Sequence, residues 1–314
     1  MDGRRAAPRR VPADAVTEPK PSAFRSGIVA VVGRPNVGKS TLVNALVGRK
    51  IAIVSDKPQT TRRHIRAILN TDEAQVVFTD TPGFHKPSTL LGTRLNNLVR
   101  DAVEGVDAVV MVVDVAAGVG RGDAYVYAQQ VALASGMKVC VANKIDGLHH
   151  HNLVPQLAAA QELGEFDEIV PVSARDNDGV DVLRDLLVAH MPEGPPLFPS
   201  DEDTDEPLEI TLAELVREQA LRVTRQEVPH SIAVVVDEIE RDGDLTKIHA
   251  SLVVERDSQK GILIGHGGET LKAIGTAARM QMEPLVGTRV FLDLRVKVLK
   301  EWQRDPRALD RLGL

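Results

Sequence analysis

Apolar residues along this 314-residue chain fall into two regimes. Up to about residue 191 they come as short unbroken runs, at 27–32, 75–79, 106–113 and 137–142. Runs of this length, rich in valine and without alternation, predict strands buried on both faces. Between them, 41–47, 94–104, 123–134 and 180–191 carry helical spacing, the first stopped by Gly48. Alternating strands and helices predict an α/β domain: a mostly parallel sheet with helices on both faces and the ligand at the strands' C-terminal ends. Past residue 209 the pattern changes. Residues 209–224 read as an amphipathic helix with Leu212, Leu215, Val216, Gln219 and Ala220 on one face. Residues 231–239 and 246–256 alternate as strands about the turn Arg241-Asp242-Gly243-Asp244, 269–282 is helical, and 289–298 is a last strand. This second unit is α+β, in the order helix, strand, strand, helix, helix, strand.

Between the two regimes lie Pro192, Pro195, Pro196, Pro199 and Pro207 and the acidic run 201–206. Prolines keep such a stretch extended and like charges keep it solvated, so 192–209 is expected to be a linker. Residues 1–25 carry Arg4, Arg5, Arg9 and Arg10 among prolines and alanines, without the apolar core of a secretory signal. A disordered tail is expected there, with weak contact to an acidic partner such as RNA as the second reading. The expected domains are therefore 26–191 and 210–314, the latter ending in a helix.

Composition adds two limits. A net charge of −6 excludes nucleic-acid binding through bulk positive charge, so any such function needs a local basic face. One cysteine, Cys140, excludes an internal disulfide and is expected as a small buried hydrophobe. No apolar run is long enough to span a bilayer, and a cytoplasmic monomer is expected.

The chemistry is concentrated in the breaks after strands. Gly33-Arg34-Pro35-Asn36-Val37-Gly38-Lys39-Ser40, followed by Thr41, fits the phosphate-binding pattern G-x-x-x-x-G-K-[ST] between a strand and a helix. Its glycines let backbone N–H groups close around phosphate oxygens, and the helix N-terminus adds partial positive charge. Lys39 is expected at the β- and γ-phosphates and Ser40 on Mg²⁺. The polar stretch 51–66 is expected to be a loop. In it Thr61, with Thr60 as alternative, completes the Mg²⁺ shell and senses the γ-phosphate. Asp80-Thr81-Pro82-Gly83 ends the next strand: Asp80 holds Mg²⁺ through water, and Gly83 brings its N–H to the γ-phosphate. Asn143-Lys144-Ile145-Asp146 selects the base. A carboxylate at Asp146 accepts from guanine N1–H and the exocyclic amine, whereas adenine offers neither and would leave the charge unpaired. The amides of Ser173-Ala174-Arg175 are candidates for guanine O6. Lys39, Thr61 and Gly83 form the expected catalytic set. A water-orienting glutamine follows the glycine of this motif in Ras-like enzymes. Here that position is Phe84, so slow intrinsic hydrolysis is expected.

In the second unit Gly265-His266-Gly267-Gly268 fits the GXXG loop of a KH domain, a tight turn that lets a sugar–phosphate backbone approach. The element order is that of a type II KH fold. Lys260, Ile264, Gly265, His266, Gly267, Gly268, Lys272, Arg295 and Lys297 are the expected RNA contacts. The triplet His149-His150-His151 is expected in a solvated loop.

The five nucleotide motifs come in the order of the TRAFAC-class GTPases. Joined to a KH unit, they make the chain resemble the bacterial Era family over about residues 25–305. That resemblance implies GTP and GDP as ligands, Mg²⁺, GTPase activity, and the 3′ end of 16S-type rRNA in the small ribosomal subunit as partner, in 30S assembly or maturation. It also implies peripheral membrane association, for which the sequence shows no anchor. In several relatives an asparagine at the position of Asn36 helps hold K⁺, so K⁺ is a further expected cofactor. The competing reading is an RNA-binding assembly chaperone in which nucleotide is structural.

Overall fold

The computed structural model describes residues 23–87, 89–224 and 228–314, without the side chains of His150, His151 and His230. The expected N-terminal tail lies almost wholly outside the described residues. The first domain runs β1 (Arg25–Gly33), α1 (Lys39–Val47), β2 (Ile65–Asn70), β3 (Ala74–Asp80), α2 (Leu90–Val103), β4 (Ala108–Asp114), α3 (Arg121–Val126), β5 (Met137–Asn143), α4 (His150–Gln161), β6 (Glu168–Val172) and α5 (Val180–His190). Its six strands are ordered β2-β3-β1-β4-β5-β6, all parallel except β2, which pairs antiparallel with β3.

The unbroken apolar runs have the expected cause. Side chains alternate between faces along a strand. Val29 and Val31, Val110 and Val112, and Val139 and Val141 pack with Leu42, Leu183 and Leu187 under α1 and α5. Their neighbours Ala30 and Val32, Met111 and Val113, and Cys140 and Ala142 pack with Val99, Val126 and Ala160 on the other face. Cys140 is fully buried there, and burial pushes its thiol up to about 12. It is a hydrophobe rather than a nucleophile.

Two local expectations change. Residues 65 and 66, read as the end of a loop, open the strand β2. The histidine triplet is not a loop either: His149 is the N-cap of α4, and the helix begins at His150. Pro155 falls inside that helix, which hides the helical signal in the sequence.

The second domain runs α6 (Leu208–Val223), β7 (Ala233–Asp242), β8 (Leu245–Val254), α7 (Asp257–Ile264), α8 (Glu269–Val286), β9 (Arg289–Val298) and α9 (Pro306–Leu312). The sheet is β7-β8-β9, with β8 and β9 parallel. Leu212, Val216 and Ala220 of α6 and Ile274, Ala278 and Met282 of α8 pack on Ile248, Leu252 and Val290 of one sheet face.

The acidic linker is not freely solvated. Ser26 N donates to Pro192 O and Gly194 N to Phe24 O. The fully buried Gln75 accepts at Oε1 from Leu197 N and Phe198 N and donates to Phe198 O. Ile68 N on the edge strand β2 donates to Asp203 O at 2.8 Å, and Asp203 and Asp205 pair with Arg49 and Arg66. A sheet edge offers unpaired N–H groups, and here arginines lie beside it. Those partners are not visible in the linker's own composition, and they hold it down.

Candidate functional site

The phosphate loop turns sharply between β1 and α1. Gly38, the N-cap of α1, has φ 99°, and a Cβ there would strike the Asn143 amide. Gly83 lies so close that a Cβ would stand 2.6 Å from the Pro35 backbone. Two glycines without room for a side chain thus bring the phosphate loop against the base motif, at Gly38, and against the Asp80–Gly83 motif, at Gly83. Lys39 is buried, with Nζ donating to Gly33 O at 3.3 Å and Arg34 O at 3.0 Å. Burial lowers it to about 8 against the opposing pull of Asp80. Burial raises Asp80, with Lys39 working the other way. Each group would be more comfortable charged beside a partner of opposite sign.

Ser40, Thr61 and Asp80 converge from α1, the loop before β2 and the end of β3. Ser40 Oγ donates to Asp80 Oδ2 at 2.6 Å and lies 3.0 Å from Thr61 Oγ1, which is 3.1 Å from the same carboxylate oxygen. Asp80 Oδ1 is buried and has no hydrogen-bond partner. Three hard oxygen donors around an unsatisfied carboxylate atom suit Mg²⁺. Thr60, the alternative, is directed elsewhere: its hydroxyl donates to Lys57 O at 2.6 Å. Thr81 Oγ1 donates to Val31 O at 2.7 Å, a structural bond within the sheet. Arg34 pairs with the buried Asp123 at 2.7 Å and so ties the phosphate loop to α3.

The base end assembles from β5 and the loops after it. Asn143 Nδ2 donates to Val37 O at 2.8 Å, while its Oδ1 accepts from Ala174 N at 3.1 Å. Asn143 thus braces the base loop against the phosphate loop, a role the motif alone does not suggest. Lys144, at φ 69°, donates to Asn36 O at 2.7 Å and Asp114 Oδ2 at 2.6 Å. Ile145 packs into the core. Asp146 accepts from Ser173 Oγ at 2.7 Å and pairs with Arg175 at 2.9 Å. Asp114, at the end of β4, escaped the sequence reading. Its signal was an aspartate closing a buried strand next to the base-binding one.

Phe84 is 1% exposed and stacks on Tyr125 with centroids 5.6 Å apart, so it turns into the core and away from phosphate.

In the second domain Gly265, Gly267 and Gly268 all have positive φ, at 72°, 56° and 86°. A Cβ on Gly265 would collide with Thr270, while Gly267 faces open space. A groove of about 430 Å³ runs from Gly268 between α8 and the unpaired edge strand β9. Leu271, Gly275, Thr276, Leu292 and Leu294 line it beside the exposed Lys272 and Arg279. Lys260 and Ile264 sit on α7, leading into the turn, and His266 is exposed in it. Arg295 and Lys297 do not belong to this groove. On β9 they alternate with Val290 and Val296, which pack under the helices, so they stand on the opposite face, paired with Asp293 at 3.0 Å and Asp237 at 3.5 Å. Alternation along the strand separates them from the groove.

The two domains meet on the loop that carries Thr61. Arg62, 3% exposed, donates to Ile232 O at 2.6 Å and lies 5.6 Å from the Trp302 ring centroid. The Thr60 carbonyl accepts from the buried Arg217 of α6. Glu218, fully buried, takes Lys50 at 2.5 Å and Val54 N at 3.0 Å. Burial, then the like charge of Arg217, pushes the Arg62 guanidinium down from its ordinary value. A guanidinium remains protonated at neutral pH, so carbonyl acceptors and the indole face must offset that cost. Beside this joint Leu91 and Leu95 of α2 pack with Ala233, Val253, Trp302, Ala308, Leu309 and Leu312. None of these contacts was legible locally, because each joins residues more than 130 positions apart.

A P-loop nucleotide site, joined through the loop of Thr61 to a type II KH domain, defines a GTPase built around an RNA-binding module. Comparison with known proteins agrees. Residues 28–144 match the family model "50S ribosome-binding GTPase" and residues 227–303 match "KH domain". The chain is 53% identical to GTPase Era of Mycobacterium tuberculosis H37Rv over 296 residues, 92% of this chain and 99% of the relative, and 52% identical to that of Mycolicibacterium smegmatis. Two Era crystal structures each share 38% identity and cover 92% of this chain and 99% of their own. One is an Aquifex aeolicus Era variant bound to GDP and aluminium fluoride, with a TM-score of 0.89. The other is Era with MgGDPNP and nucleotides 1506–1542 of 16S ribosomal RNA, at 0.90. The chain belongs to the Era family of GTPases. It binds guanine nucleotide and hydrolyses GTP. Among the described residues no helix is long and apolar enough to cross a membrane.

Proposed function

We propose that this protein is a nucleotide-switched RNA clamp that holds the 3′ end of small-subunit rRNA and assists 30S maturation. The observation that carries this reading is the chain order Thr60-Thr61-Arg62. Thr61 reaches Ser40 Oγ and Asp80 Oδ2, while its two neighbours are bound to the KH domain. A γ-phosphate that draws Thr61 inward must pull on both neighbours, and through them on the KH groove. Ser40, Thr61 and Asp80 would hold Mg²⁺, which neutralises charge on the β- and γ-phosphates. Lys39 and the Gly83 amide would stabilise the transferring phosphoryl group, and Asp146 would select guanine. Gly265, Gly267 and Gly268 would let the RNA backbone approach, with bases in the groove and Lys272 and Arg279 on phosphates. The Era complex with 16S rRNA supports this choice of RNA.

The test is fluorescence anisotropy with a short single-stranded RNA of the small-subunit 3′ end. Affinity should be about 10-fold or more higher with non-hydrolysable GTP than with GDP, a coupling of ordinary size. Gly267→Asp, which places a negative charge and a strained φ in the turn, should abolish binding in both states. Equal affinity in the two nucleotide states would leave the RNA module and favour the chaperone reading.

K⁺ is proposed as the second cation. Asn36, at φ 65°, donates to Asp56 O at 2.7 Å. With its amide turned over, Oδ1 and that carbonyl would face one another as two ligands for a large monovalent ion. Hydrolysis should run about 100-fold faster in K⁺ than in Na⁺, the lower end for one oxyanion contact. Asn36→Ala should remove the difference. Equal rates in both salts for the native protein would exclude K⁺.

A further inference from the structure

Phe84 leaves the attacking water without the side chain that usually orients it, and a glutamine on a different loop faces the same cavity. Gln59 lies two residues before Thr61 and lines the phosphate cavity together with Lys39, Ser40, Thr61 and Gly83. Its backbone sits at φ 59°, in the left-handed region that a non-glycine residue rarely adopts. Its side-chain amide reaches His85 Nε2 at 3.3 Å, across the gap between the loop of Thr61 and the segment after Gly83. The other ring nitrogen, His85 Nδ1, lies 2.9 Å from Gly83 O. A carbonyl can only accept, so Nδ1 carries the proton. In the neutral ring Nε2 then accepts, and Gln59 must present its NH₂ to it. That fixes the orientation of the amide. Its Oε1 makes no hydrogen bond among the described residues and remains available to accept from a water.

We propose that Gln59 orients the attacking water for GTP hydrolysis and that His85 is the positioning residue that holds Gln59 in place. A carboxamide oxygen does for water here what the glutamine of Ras-like enzymes does from the position occupied by Phe84. The water oxygen forms a bond to the γ-phosphorus as the bond from that phosphorus to the β–γ bridging oxygen breaks. The electron pair leaves with GDP, and the water's proton ends on inorganic phosphate. Gln59 takes no proton. The pair spans the loop of Thr61 and the segment after Gly83, so it holds only while those two segments stay close together.

The deciding experiment is single-turnover GTP hydrolysis by the full-length chain, paired with equilibrium binding. Gln59→Ala should slow hydrolysis about 100-fold, the lower end for a positioned catalytic side chain. Its Kd for GDP and for non-hydrolysable GTP should stay within about twofold of the native values, and RNA affinity should also be retained, which excludes misfolding. Capture of GDP with aluminium fluoride, a mimic of the in-line transition state, should be lost. His85→Ala should slow hydrolysis less, and Gln59→Ala/His85→Ala should be no slower than Gln59→Ala, because the histidine acts through the glutamine. Unchanged hydrolysis in Gln59→Ala overturns the proposal. So does a loss of nucleotide affinity as large as the loss of rate, since that marks a structural role. Additive effects in the double variant overturn the part given to His85.

Discussion

Asp146→Asn should turn a guanine site into a xanthine site. Guanine presents two donors to this position, N1–H and the 2-amino group, and a carboxylate accepts both. An asparagine keeps one acceptor and puts an NH₂ against the guanine amine, donor against donor. Xanthine carries a carbonyl in place of that amine and so suits the amide. The surroundings allow the exchange. Asp146 is 14% exposed at its side chain, and its protein partners, Ser173 Oγ and Arg175, lie at 2.7 and 2.9 Å. The serine hydroxyl can rotate to donate to the remaining oxygen, and Arg175 is exposed enough to move away. Affinity for GDP should fall about 100-fold or more, because a polar group desolvated by the bound base is left facing its own kind. Affinity for XDP should rise to near the native GDP value. Competition against a fluorescent guanine nucleotide reads both changes. Undiminished GDP affinity would mean that Asp146 is spent on Arg175 and does not read the base.

Trp302→Ala should cost about 3–5 kcal/mol and uncouple the two domains. The first figure is that of a large aromatic removed from a packed core. Trp302 is fully buried, donates from Nε1 to Ser231 O at 3.2 Å, and lies under the Arg62 guanidinium. It also closes the cluster in which Leu91 and Leu95 of the GTPase domain meet Leu309 and Leu312 of the last helix. Removing it leaves a cavity and takes away the aromatic face that helps hold a buried cation. Urea denaturation should show the loss in the transition that includes the KH domain. The ratio of RNA affinities between the GTP and GDP forms should fall towards one. Trp302→Phe keeps an aromatic face over Arg62 and should retain most of the ratio, which separates loss of coupling from general damage. The native protein offers a direct readout, because Trp302 is its only tryptophan. Its emission should change when GDP is exchanged for non-hydrolysable GTP. Constant emission, together with an unaltered affinity ratio in Trp302→Ala, would remove this joint from the switch.

The fold was legible where the causes are local. Strands buried on both faces must be apolar throughout, so β1, β4 and β5 stood out as runs. Phosphate binding needs Gly33, Gly38, Lys39 and Ser40 in consecutive order, so their motif survives as a string of letters. The GXXG turn is readable for the same reason, since three positive φ values within four residues call for glycine. Where a feature depends on what lies opposite, the letters were ambiguous. Thr60 and Thr61 are the same residue type, and only the position of Asp80 separates them. Gln59 and His85 are unremarkable polar residues until two loops close over one cavity. Arg295 and Lys297 share the basic character of Lys272, yet strand alternation puts them on the other face of the sheet. The acidic linker is solvated by its composition and held down by arginines and an open sheet edge that are far away in sequence.

By itself, then, the sequence determined the two domain classes, the guanine nucleotide and the RNA-binding turn, because each rests on contiguous residues with one chemical reading. Only the tertiary structure decided which threonine lies beside Asp80, which basic residues line the groove, and how the domains are joined. Those outcomes depend on distances between residues that the chain order keeps apart, and Arg62 against Trp302 is the clearest case: 240 positions separate them in sequence, and 5.6 Å in space.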